Sequence, residues 1–186
     1  MGIISRLFRR NPWVKPARLL YTSVIEQSRH PVFYTDCCVD DTVEGRFDLL
    51  ALHAFLVLRR LKKAPDNTNV LSQTFFDLMF ADLDVNLREL GVGDMGMGRR
   101  IRKLAESFYG RIAAYDSGLD SDDDELLKSA IDRNLYMNTP VSEKILGLMA
   151  EYVRREDDSL AQQQVSALME GQVTFGAPPH AQGAEQ

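Results

Sequence analysis

Few side chains in this sequence could do chemistry on their own. Histidine, the usual acid-base group near neutral pH, occurs three times, and only His53 lies within a periodic apolar segment. As a general base it would need a Ser or Cys at a recognisable nucleophile spacing, or a strand-to-helix elbow, and neither is present. A hydrogen-bonded core histidine is the simpler reading. The two cysteines, Cys37 and Cys38, are adjacent. A disulfide between neighbours closes a strained ring, so they read as small apolar residues rather than a structural bridge. Either could pair with His53 only through a tertiary contact that spacing does not supply.

The carboxylates Asp77, Asp82, Asp84 and Glu89 crowd one segment. A carboxylate-bridged metal pair in a helical bundle needs Glu-x-x-His pairs, and neither Glu-x-x-His nor His-x-x-Glu occurs. Asp77 and Asp84, seven apart, read instead as a solvated or salt-bridged edge. The glycine-rich run Gly91-Val92-Gly93-Asp94-Met95-Gly96-Met97-Gly98 lies between two helical segments and lacks the Lys-Ser/Thr of a phosphate loop. Arg99, Arg100, Arg102 and Lys103 follow it, and they read either as a hold for a phosphate or acidic partner or as a solvated helix face. These readings leave no catalytic residue, no metal and no cofactor, so the expectation is a protein that is not an enzyme.

The elements that must position these residues are helices. No segment alternates apolar and polar residues between turn clusters, whereas helical spacing recurs from residue 17 to 170. Six helices are expected. The first runs from Pro16 to Ser28, before the His30-Pro31 break, and 31–40 is irregular. Asp41 and Glu44 suggest a capping box opening a second helix from Thr42 to Lys63, which is apolar nearly all round and therefore central. A third extends from Asn67 or Thr68 to Leu90, and a fourth from Asp94 to Gly118. A fifth follows Ser121, and a sixth runs from Thr139-Pro140 to Met169. Short connections favour a compact all-α antiparallel bundle at 16–170, with 171–186 expected to be a disordered tail.

At 186 residues, with 45% hydrophobic and 26% charged, the chain can bury a core without disulfides or metal. Its net charge of −5 is unevenly distributed: residues 1–30 carry six basic residues against one acid, and the remainder is strongly acidic. That balance, with no base-reading module, argues against nucleic acid. The longest apolar run, Leu49 to Leu58, is about half a bilayer span. Residues 1–15 instead read as a basic amphipathic arm. Ile3, Ile4, Leu7 and Phe8 oppose Arg6, Arg9 and Arg10, with Trp13 beyond, the pattern of a short helix lying on an anionic membrane surface.

Several blocks go further than periodicity. Asp41-Thr42-Val43-Glu44-Gly45-Arg46-Phe47-Asp48-Leu49-Leu50-Ala51-Leu52-His53 continues through Arg59-Arg60-Leu61. Phe76-Asp77-Leu78-Met79-Phe80-Ala81-Asp82-Leu83-Asp84 is followed by Leu87-Arg88-Glu89-Leu90-Gly91-Val92-Gly93-Asp94, Phe108-Tyr109-Gly110-Arg111 and Ala114-Tyr115. Over residues 30 to 155 these closely resemble the ubiquinol-cytochrome c chaperone family. The resemblance implies a helical, non-enzymatic chaperone for newly made cytochrome b in respiratory complex III assembly. It also implies a small partner subunit and a cytoplasmic position peripheral to the inner membrane, or the matrix side in a mitochondrion. The short leader resembles that of a bacterial member. As client or motif surface the resemblance carries over Asp41, Thr42, Arg46, Phe47, His53, Asp77, Asp84, Arg88, Glu89, Asp94, Arg111 and Tyr115. Gly45, Gly91 and Gly110 are then expected to permit tight packing. Arg46, Arg88 and Arg111 are expected to be held by Asp41, Asp84 or Glu89, fixing one helix against another. The alternatives are a peripheral membrane scaffold unrelated to respiration and a hydrolase-type enzyme using His53.

Overall fold

The computed structural model describes residues 11–64, 68–89, 94–137 and 139–180, and the side chains of 94–97 lie outside that description. Among the described residues there are eight helices and no strand: α1 Val14–Ser28, α2 Val32–Thr35, α3 Val43–Lys62, α4 Asn69–Glu89, α5 Asp94–Asp120, α6 Asp124–Leu135, α7 Glu143–Gln162 and α8 Val165–Met169.

The helix starts follow capping chemistry more closely than apolar spacing suggests. Thr42, not Asp41, caps α3: its hydroxyl accepts the Gly45 N–H, and the Asp41 carboxylate turns away to Arg46 Nε at 2.6 Å. Asp123 caps α6, and Ser142 caps α7 by accepting the Ile145 N–H. The α7 start therefore falls three residues after the expected Thr139-Pro140. The expected long last helix also breaks, because Gln163 and Gln164 are extended. Arg60 binds the carbonyls of Leu160 and Gln163, and the Gln163 amide exchanges two hydrogen bonds with the Thr174 backbone.

α3 is the central helix, packed against α1, α4, α5, α6 and α7. Leu49, Leu52, Phe55 and Leu56 join one core with α2, α5, α6 and α7. Leu50, Ala51, Ala54, Val57 and Leu61 join a second core with α1, α4, α5 and α8. Two cores on opposite sides of one helix are the physical reason its sequence is apolar nearly all round.

Residues 171–180 depart from the expected disordered tail, whose last residues, 181–186, lie outside the described residues. Gly171 adopts φ 88° and lies against Pro16 and Leu19, ending α8 in a left-handed turn. Residues 172–180 then run back along the bundle as a strap. Val173 and Phe175 pack into the core, the Gly176 N–H donates to Glu156 Oε2 at 2.8 Å, and the Pro179 carbonyl accepts from Cys37 Sγ. Two apolar anchors and one buried carboxylate hold a segment whose composition alone suggests freedom.

Candidate functional site

One groove, of about 500 Å3, gathers most of the distinctive sequence. Its walls are the C-terminal turns of α1 and α4, the first turns of α3 and the middle of α5, with Leu135 and Met137 closing one side. Ile25, Leu50, Leu83, Leu87 and Leu104 supply apolar surface. Charges of both signs stand around it: Asp40, Glu44, Asp82 and Glu89 against Arg29, Arg46 and Arg100. At the mouth Val43 is 52% and Met137 71% exposed, large apolar side chains held in water.

The floor is an ion pair. Arg111 on α5 donates through Nη2 to Asp48 Oδ1 on α3 at 2.5 Å and through Nη1 to Ser107, and its guanidinium lies over the Phe47 ring, 5.5 Å from the centroid. Both side chains are largely buried. Burial pushes the Asp48 carboxyl up to about 6, although the Arg111 charge pulls the other way. A largely buried bridge of this kind orients α3 against α5. On the α1 side the Tyr21 hydroxyl donates to Asp82 at 2.9 Å. Where the loop before α3 meets its first turn, a Cβ at Gly45 would collide with the Asp40 carbonyl, so only glycine lets that wall close.

The residues carried over from the motif blocks divide into groups. Thr42, Arg46, Phe47, Glu89 and Arg111 line the groove. Asp41 stands just outside it, held by Arg46, and exposed Asp77 accepts from Gln73 on its own helix. Asp84 and Arg88 pair at 2.8 Å along α4. His53 and Tyr115 are fully buried and form no surface. The Asp94 side chain and Gly91 lie outside the described residues. Of the three arginines expected to fix helix against helix, Arg111 does so with Asp48 as its partner, and Arg46 is held by Asp41 from the preceding loop. Gly110 has open space around it and answers to no packing need. Of the lipid-facing arm, Ile3, Ile4, Arg6, Leu7, Phe8, Arg9 and Arg10 lie outside the described residues, while Trp13 packs against the α1–α4 core. Trp13 is thus occupied by the bundle.

His53 is enclosed rather than poised. Nδ1 meets the Leu49 carbonyl at 2.7 Å and Nε2 the Tyr152 hydroxyl at 2.8 Å. Tyr152 also accepts from Gln27, which donates again to the strap carbonyl of Gly176. Burial drives the imidazole down to about 4, so it is neutral near pH 7. Two buried charges escaped sequence reasoning. Arg59, 5% exposed, is held by Asp116, Asp120 and Asp157 from α5 and α7, and Glu156 is buried beneath the strap. The available signal was an arginine on an otherwise apolar helix, but its acids are 57 to 98 positions away.

The family model for the ubiquinol-cytochrome C chaperone matches residues 35–175, well over half of the chain. The chain belongs to this family. Among curated relatives, ubiquinol-cytochrome-c reductase complex assembly factor 1 of Xenopus laevis is 29% identical over 84% of this chain and 78% of its own length. The Mus musculus protein of that name is 28% identical over 84% of this chain and 53% of its own, so this chain spans about half of the mammalian relative. The crystal structure of the Cbp3 homolog from Brucella abortus superposes with a TM-score of 0.80 at 34% identity, covering 94% of this chain and 97% of that one. Ubiquinol-cytochrome C chaperones are assembly factors for the reductase complex. No helix among the described residues is long and apolar enough to cross a membrane.

Proposed function

We propose that this chain is a bacterial assembly chaperone that holds newly made cytochrome b during biogenesis of the ubiquinol-cytochrome c reductase complex, and that the groove is its client surface. It acts by binding rather than catalysis, on the cytoplasmic face of the inner membrane, with Ile3 to Arg10 of its basic arm at 1–15 contacting anionic lipid and a small partner subunit assisting. The observation that carries this reading is the convergence of three separate family blocks on one groove: Thr42 to Asp48, Asp82 to Glu89, and Arg111. Apolar walls with a rim of both charges suit the end of an apolar helix and its polar flank.

Photoreactive residues placed at Val43, Asn86 and Met137 test it. Crosslinking in cells is expected to capture cytochrome b from these positions and not from Asp122, which faces solvent away from the groove. Capture from Asp122 alone, or normal reductase levels after gene deletion, would overturn the reading.

A further inference from the structure

Six of the arginines are engaged by carboxylates among the described residues: Arg46, Arg59, Arg88, Arg111, Arg154 and Arg155. Arg99, Arg100, Arg102 and Lys103 are exposed and make no ion pair among the described residues, as is also true of Arg18, Arg29 and Arg133, but only these four stand together within five positions. They sit past the first turn of α5, with Glu106 as the one acid in the following turn. Seven residues beyond Arg102, on the same side of the helix, Tyr109 is 58% exposed and stacks on Phe76 at 5.5 Å. A cluster of unpaired cations beside an amphipathic ring matches the chemistry of a lipid headgroup layer, with phosphates for the cations and the carbonyl zone for the tyrosine.

Position gives this patch meaning. Arg100 belongs to it and also lines the groove. Asn11 bonds Thr74 while Tyr21 bonds Asp82, so α1 and α4 run side by side in one direction. The groove lies at their C-terminal ends, whereas the basic arm joins α1 at the opposite end, about 22 Å away along the 15-residue helix.

We propose that Arg99, Arg100, Arg102, Lys103 and Tyr109 form a docking surface for anionic phospholipid headgroups, which sets the mouth of the groove against the bilayer. The orienting role rests on the groove as client site, while the lipid contact stands without it.

The test is flotation of the full chain with phosphatidylcholine vesicles with or without phosphatidylglycerol, and no client present, so its failure is separate from failure of the client reading. The variant R99Q/R102Q/K103Q leaves the groove-lining Arg100 in place and changes only exposed side chains, so helix content and melting temperature should match the parent. Each cation near a charged surface contributes roughly fivefold to partition, and the triple variant should bind anionic vesicles about a hundredfold more weakly. A parallel variant, R6Q/R9Q/R10Q, should retain α5-dependent binding. The proposal is overturned if the α5 variant floats like the parent, if only the arm variant loses binding, or if the parent ignores phosphatidylglycerol. It is equally overturned if single-stranded RNA is bound with the same salt dependence while vesicles are not.

Discussion

Two buried residues push the acid response of this protein in opposite directions. His53 titrates near 6.5 when unfolded and about 4 when folded, so its contribution is intact above pH 6.5 and is lost as pH falls toward 4, by about 1.4 kcal/mol per unit. Asp48 has the reverse sign. Its folded value of about 6 lies above the unfolded 3.8, so protonation favours the fold over that window and offsets part of the histidine loss. Urea denaturation at pH 7 and 4.5 should therefore show a flatter acid dependence for His53→Leu and a steeper one for Asp48→Asn than for the parent. A second residue-scale prediction concerns Arg59. Replacing it with Ala leaves Asp120 without its cation and Asp116 and Asp157 with only their longer contacts to Lys62 and Lys63, and should cost about 3 kcal/mol in urea stability. His53 was legible from sequence as a core residue because it sits on an apolar helix with the Leu49 carbonyl one turn back, although its second partner, Tyr152, lies 99 positions away. The Arg59 carboxylates were not, because ion pairing is spatial.

The strap is the element whose behaviour separates composition from structure. Truncation after Gly171 removes Phe175 from beside His53 and takes from Glu156 both the Gly176 N–H and the segment that covers it, leaving Arg155 as its partner. Limited proteolysis and urea unfolding should show a loss of about 2 to 4 kcal/mol, from the partly buried Val173 and Phe175 and the charged hydrogen bond at Glu156. An unchanged midpoint would mean that the strap is not held. The helices themselves were legible where spacing is long and regular: the ranges of α3, α4 and α5 fall within a few residues of expectation. Their ends were less so. Asp41 and Thr42 are both competent caps, and only the Arg46 contact shows which of the two faces the helix.

At the scale of the whole molecule, α3 couples two cores that would otherwise be separate units. Phe55 belongs to one and Ala54 to the other, so a destabilising change on either side should be felt by both. Phe55→Ala should lower stability by about 3 to 5 kcal/mol in a single transition, with near-ultraviolet circular dichroism and Trp13 fluorescence sharing a midpoint although Trp13 packs in the other core. Split transitions would show the cores to be independent. The sequence alone settled the all-α class, the central place of residues 43–62 and the family, because each depends on local periodicity or on residue order along the chain. It could not reveal the groove, the pairing of Arg111 with Asp48 or the strap over Glu156. Those depend on residues 20 to more than 60 positions apart meeting in space, and only the packing of α1, α3, α4, α5 and α7 decided which of them meet.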